Sequence, residues 1–213
     1  PDSLFITDLQ EKFQTAGIEV KNSNLGQLPE TTWFHYPSDY LGDIVHSLNV
    51  RSDNLYAESV LRLLSLSDHE KGSAEKGIDI IRKYWQNYEA DSLELFMYDG
   101  SGLARNNKVS AKYLNCVLKE TARDSLIGEY FVQTLPLAGK EGSVATIIKH
   151  GELPGELRLK SGSMSDVHAY AGYYTTPQNR YAIVVMINNY TCTRAQLKQK
   201  ISTLLTQVLS KKE

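Results

Sequence analysis

Three observations predict an α+β fold, with helices first and an antiparallel sheet after them. Up to Thr134 the apolar residues mostly recur at helical spacing. From Glu156 to Tyr190 they alternate, in three runs joined by short polar links. The chain then closes with an amphipathic helix, Arg194 to Leu209.

Each element has its own warrant. Residues 3–16 read as a helix with Ile6, Leu9, Phe13 and Ala16 on one face and Gly17 as its stop. Residues 18–36 are polar and irregular, with an aromatic patch at Trp33, Phe34 and Tyr36. Pro37-Ser38-Asp39 opens a second helix, with Leu41, Ile44, Val45 and Leu48 expected inward. A third follows Asn54, with Tyr56, Val60, Leu63 and Leu64 as its stripe. The segment "KGSAEKGIDIIRKYWQNY" is a fourth, its core side Ile78, Ile81 and Trp85. Leu93 to Met97 reads as a strand ended by the turn "YDGSG". A fifth helix follows Ser110, its expected cap, and a short one runs from about Ile127 to Thr134, before Pro136. The strands are "GELRLKSGS", "HAYAGYYTT" and "RYAIVVMINNY", joined by a turn after Gly162 and by "TTPQNR".

Bulk properties bound the function. The 213 residues suffice for a buried core, and 41% hydrophobic with 23% charged residues is globular composition. A net charge of -2 with scattered basic residues argues against nucleic acid as a partner. No apolar run approaches a membrane span. The start "PDSLFITDLQEK" does not read as a signal peptide, and Pro1 in place of methionine leads us to expect that upstream sequence was removed. Cys116 and Cys192 exclude a disulfide-rich scaffold, and Cys116 reads as a small core residue. Histidines 35, 46, 69, 150 and 168 lack metal spacing, so no zinc site is expected.

Two short stretches carry candidate chemistry. In "RSDNLYAE", Ser52 and Asn54 flank a helix start. The plain reading is an N-cap; the functional one is a hydroxyl and an amide turned toward one pocket, able to pass a proton and hold a carbonyl. In "ELRLKSGSMS", Lys160 reads plainly as a lysine guarding a sheet edge and Gly162 as a bulge. Functionally, an extended substrate adds to that edge. Gly162 lets it come close, Lys160 supplies charge, Ser161 and Ser163 supply donors for a carboxylate, and the Ser163 N–H completes an oxyanion hole. Taken alone, the plain reading leads at both places. The turn "YDGSGLARNN" reads as turn chemistry and lacks the ending of a phosphate-binding loop.

Together these stretches are more specific. A Ser-Asp-Asn triplet well ahead of Lys-Ser-Gly, with "YDGSGLARNNKVSA" and "LPLAGKEGSV" between them and "AGY" after, resembles the D-alanyl-D-alanine carboxypeptidase/endopeptidase family of class C low-molecular-mass penicillin-binding proteins. The resemblance covers about Tyr40 to Tyr190. Ser161 stands where the family has threonine, keeping the hydroxyl, and Ala104 replaces the serine of the Gly-Leu-Ser turn.

The resemblance implies a β-lactamase/DD-peptidase-like transpeptidase fold, with residues 1–213 forming the C-terminal part of the penicillin-binding domain. It implies a serine-type enzyme that cleaves D-Ala-D-Ala bonds of peptidoglycan stem peptides, is inhibited by β-lactams, and works in the periplasm or elsewhere outside the cytoplasm. Ser52, Asn54 and Lys160 are then catalytic, and Ser161, Gly162 and Ser163 bind substrate. The nucleophile motif Ser-x-x-Lys belongs upstream of the Ser-Asp-Asn triplet. The chain has one such pattern, Ser73 to Lys76, downstream of it. We read Ser73 as a helix cap and expect the nucleophile to be absent from these residues. The alternatives are a non-catalytic wall-binding module that kept the pocket, and a β-lactamase-like hydrolase of small amides.

Overall fold

Alternation becomes sheet where the sequence predicts it. The computed structural model describes residues 2–19, 37–66, 71–88 and 94–212. The aromatic patch at 33–36, His35, His69 and Leu93 lie outside them. The chain divides into two units, Pro1–Ser38 and Asp39–Glu213. The first contains α1 (Asp2–Thr15), which ends at Gly17 in the left-handed region, φ 72°. Its Ile6, Leu9 and Phe13 are exposed.

The second unit runs α2 (Leu41–Arg51), α3 (Asn54–Leu63), α4 (Ala74–Trp85), β1 (Leu95–Phe96), β2 (Lys108–Val109), α5 (Ala111–Arg123), α6 (Gly128–Thr134), β3 (Glu156–Met164), β4 (Val167–Thr175), β5 (Arg180–Asn188) and α7 (Arg194–Leu209). Strands β3, β4 and β5 form an antiparallel meander in that order, and β1 pairs with β2. The caps are where side-chain chemistry puts them: Ser73, Ser110 and Thr193 each accept a backbone N–H, and Thr193 with Gln196 makes a reciprocal capping box.

Both faces of the sheet are covered. On one, Leu157, Leu159, Tyr170 and Tyr174 pack against Leu197, Ile201, Leu205 and Leu209, the i, i+4 stripe of α7. On the other, Tyr173 packs with Leu118, Val132 and Leu135 near α5 and α6, and its buried hydroxyl donates to the Leu118 carbonyl (2.7 Å). Central β4 therefore exposes no residue: buried and half-buried positions alternate up to Gly172, and Tyr173 and Tyr174 are both buried.

Several expectations change. Leu41 is 62% exposed, because it is the first residue of α2 and faces solvent. In α3 the buried residue is Leu61, while Tyr56, Leu63 and Leu64 are exposed. The close approach of α4 at Gly77, whose backbone meets the Leu61 carbonyl, sets that face. Gly162 is no bulge: it pairs in register with Ala169, and β3 continues to Met164. The turn comes at Ser165-Asp166, with Asp166 at φ 58°.

Candidate active site

The end of α2 is pinned from two sides. Buried Asn49 donates to the Thr134 hydroxyl (3.1 Å), tying α2 to α6. Gly142, at φ +51°, lies so close to α2 that a Cβ there would sit 2.4 Å from the Val50 carbonyl. Beyond this anchor Ser52 takes the left-handed conformation (φ 57°, ψ 49°), uncommon for a residue with a side chain. Asp53 follows as the cap of α3, its carboxylate accepting from the Tyr56 N–H (3.0 Å). The capping work expected of the triplet thus falls on Asp53, and the Ser52 hydroxyl is left for another partner.

That partner is Lys160. Its Nζ donates to Ser52 Oγ (2.7 Å) and to the Ser161 carbonyl (2.9 Å). The first bond joins residues 108 apart in sequence. Lys160 is half-buried, and burial pushes its pKa below the ordinary lysine value. Among the described residues it forms no ion pair. A half-buried ammonium of this kind is stabilised by an anion or a proton acceptor placed beside it.

The open edge of β3 starts at this lysine. Ala138 donates to the Leu157 carbonyl and Leu159 to the Pro136 carbonyl, so residues 136–138 cover the first half of the edge. Groups facing one side alternate along a strand, so the N–H groups of Ser161 and Ser163 face the same side, past the end of that cover. Ser161 Oγ lies 2.5 Å from Ser143 Oγ, at the 3-10 turn Gly142–Val144. Nothing lies within 4 Å of where a Gly162 Cβ would be. Ser163 Oγ meets His168 Nδ1 at 3.2 Å. Asn54 begins α3 with an exposed side chain that makes no hydrogen bond to this group among the described residues. Ser52, Lys160, Ser161 and Ser143 thus form one hydrogen-bonded cluster, with Asn54 and Gly162 beside two of its members in sequence.

The turn at Asp99 is more than a link. Its carboxylate accepts from the Gly102 N–H (2.8 Å), the Ala104 N–H (2.6 Å) and the Asn107 amide (2.8 Å). Burial works against its ionisation, but these bonds hold its pKa below the usual carboxylate value. Glu58, one turn after Asn54 on α3, accepts from the N–H groups of Gly100 and Ser101, both at 3.0 Å. A Cβ on Gly100 would lie 2.6 Å from the Ala57 carbonyl, so the turn docks tightly on α3. Sequence reasoning assigned no role to Ser143, Glu58 or His168. The available signal for Ser143 was its hydroxyl at the end of "LAGKEGS"; Glu58 and His168 gave none, because their partners are distant or on a neighbouring strand. A cavity of about 400 Å³ lies at the other end of β3, near Leu153, Pro154 and Thr176, and includes neither Ser52 nor Lys160.

The model of the D-Ala-D-Ala carboxypeptidase 3 (S13) family matches residues 1–211. The chain belongs to that family. Among its relatives, the D-alanyl-D-alanine carboxypeptidase DacB of Haemophilus influenzae is 27% identical over 206 residues, 92% of this chain and 42% of the relative. The crystal structure of penicillin binding protein 4 (dacB) from the same organism, complexed with a β-lactam, superposes with a TM-score of 0.71 at 24% identity, covering 94% of this chain and 49% of that one. TLA-1 extended-spectrum β-lactamase superposes at 0.57 with 16% identity, over 80% of this chain and 64% of its own. This S13 chain therefore has the α+β fold shared by penicillin-binding proteins and β-lactamases. It spans less than half the length of the curated relatives it matches. Among the described residues no helix is long and apolar enough to cross a membrane, and no cluster of His, Cys, Asp and Glu could hold a metal ion.

Proposed function

We propose that this chain supplies the proton-relay and carboxylate-binding half of a serine-type D-Ala-D-Ala carboxypeptidase/endopeptidase. The observation that carries this reading is the Lys160–Ser52 hydrogen bond, which joins two stretches that are otherwise unrelated in the sequence. A nucleophilic serine outside these residues attacks the carbonyl between two D-alanines, forming an acyl-enzyme that water later resolves. Ser52, holding the Lys160 ammonium at 2.7 Å, passes a proton to the departing amine. Asn54 hydrogen-bonds the peptide backbone. The extended substrate lies along the uncovered edge of β3 beside Gly162, and the Ser163 N–H stabilises the oxyanion. Ser161 and Ser163 hold the terminal carboxylate, which answers the positive charge of Lys160.

The single Ser-x-x-Lys pattern here supports an external nucleophile, because Ser73 Oγ accepts from the Lys76 N–H (3.4 Å) as the cap of α4. Stem peptides of peptidoglycan lie outside the cytoplasmic membrane, so the reading places the enzyme in the periplasm or at the cell surface, with β-lactams as inhibitors. No cofactor takes part. The test is fluorescent penicillin labelling of the full-length protein, with mapping of the modified peptide and D-alanine release from a stem-peptide mimic. We expect one label on a serine outside these 213 residues. A label on Ser73 would overturn the assignment of the nucleophile. A full-length protein that neither labels nor releases D-alanine is instead a non-catalytic wall-binding module.

A further inference from the structure

Ser163 is exposed at the sheet edge, yet its hydroxyl is tied to the interior. Directly across the ladder stands His168, whose Nδ1 lies 3.2 Å from Ser163 Oγ and whose Nε2 lies 2.9 Å from the Tyr170 hydroxyl. His168 is 2% exposed and Tyr170 1%. The two rings meet edge to face, centroids 4.9 Å apart. A file of three polar side chains thus runs from the open edge into the core between the sheet and α7. Apolar residues fill the neighbouring positions on this face, Leu157 and Leu159 among them. Burying a polar pair instead is costly unless every group is satisfied, so packing alone does not call for it.

The file has a direction. Burial, and then the charges of Lys198 and Arg194 on α7, push the His168 pKa below its ordinary value, so the ring is neutral and carries one N–H. Burial also keeps the Tyr170 phenol protonated. Among the described residues, the acceptor within reach of that O–H is His168 Nε2. With Nε2 accepting, the ring proton sits on Nδ1 and is donated to Ser163 Oγ. The Ser163 hydroxyl, already accepting from inside, keeps its own proton for donation outward.

We propose that His168 is a positioning residue which, held by Tyr170, fixes Ser163 as an outward donor and so selects substrates ending in a free carboxylate. This rests on the reading of Ser163 as a carboxylate ligand. A hydroxyl free to rotate serves a carboxylate and a carboxamide alike, since it can donate or accept. One fixed as a donor favours the group that only accepts.

The experiment uses the full-length protein and two peptides, one ending in D-alanine and one in D-alaninamide. His168→Phe keeps a ring in the core and removes both hydrogen bonds. We expect it to raise KM for the free acid about tenfold, the scale of one hydrogen bond to a charged group, with kcat nearly unchanged. KM for the carboxamide should stay within about twofold. His168→Asn, which presents an amide N–H toward Ser163, should restore most of the preference. In ¹⁵N-histidine spectra of the wild type, His168 should show a protonated Nδ1 and an unprotonated Nε2. The opposite tautomer overturns the proposal, as does a His168→Phe variant that affects both peptides equally. If that variant fails to fold, the spectrum and His168→Asn decide. Ser163→Ala tests the underlying reading separately: an unchanged KM for the free acid removes Ser163 from the carboxylate site, whichever way the file points.

Discussion

Ser52 and Ser73 each stand beside the first turn of a helix, α3 and α4, in similar polar sequence. At α4 the serine is itself the cap: Ser73 Oγ accepts from the Lys76 N–H, and Ser65 holds its backbone through both N–H and carbonyl, at 2.8 and 2.9 Å. At α3 the cap is the next residue, Asp53, and Ser52 stands outside the helix in a left-handed conformation with Lys160 on its hydroxyl. A cap completes a backbone and stabilises locally. A strained serine bonded to a half-buried lysine does neither, and such an arrangement fits chemistry better than stability.

The largest expected effect comes from Lys160→Met. D-alanine release by the full-length protein should fall by ~10²–10⁴, the range for a group acting in proton transfer. Its melting temperature should hold or rise, because a cation is no longer kept half-buried without an ion-pair partner. A variant that folds normally and keeps more than about a third of its activity would make Lys160 an edge guard after all.

Ser52→Gly comes next. Loss of the relay hydroxyl should lower D-alanine release by about 10². Glycine accepts φ 57° without strain, so thermal unfolding should show equal or slightly higher stability. A clear loss of stability would mean that Ser52 is structural.

Ser73→Ala should do the reverse. Denaturant unfolding should show a loss of about 0.5–2 kcal/mol, while acylation by penicillin well below the melting temperature stays at the wild-type rate. A collapse of acylation in a folded variant would give Ser73 the part assigned here to an external serine.

The smallest effect is in pH dependence. Because burial lowers the Lys160 pKa in the folded state, the folded protein binds fewer protons there than the unfolded chain does. The cost of burying that charge is fully present below the folded pKa and vanishes above the unfolded value. Wild-type stability should therefore gain on that of Lys160→Met as pH rises toward the ordinary lysine value of 10.5. A difference that is flat with pH would mean that Lys160 is not desolvated.

Local patterns made much of the architecture readable in advance. Periodicity identified the three long strands and α7, and cap chemistry identified Ser73 and Ser110, because these depend on residues within a few positions of one another. The strand read over Leu93 to Met97 contains β1, but the two-residue β2 and the 3-10 turn at Gly142 gave too little pattern to see. In α3 the apolar stripe misled, since its buried face is chosen by the approach of α4 and not by hydrophobicity alone.

For the site, the sequence by itself supplied the residue types and their order: Ser52 and Asn54 at a helix mouth, and Lys160 to Ser163 at a strand edge. It also set the caps Ser73 and Ser110, whose energetics are local. Only the tertiary structure decided that Asp53 and not Ser52 caps α3, that Ser143 faces Ser161, that Glu58 clamps the Asp99 turn, and that His168 and Tyr170 stand behind Ser163. The reason is distance along the chain. A side chain's hydrogen-bonding capacity is written in its residue type, but which distant partner fills it depends on how the helices and the sheet come together.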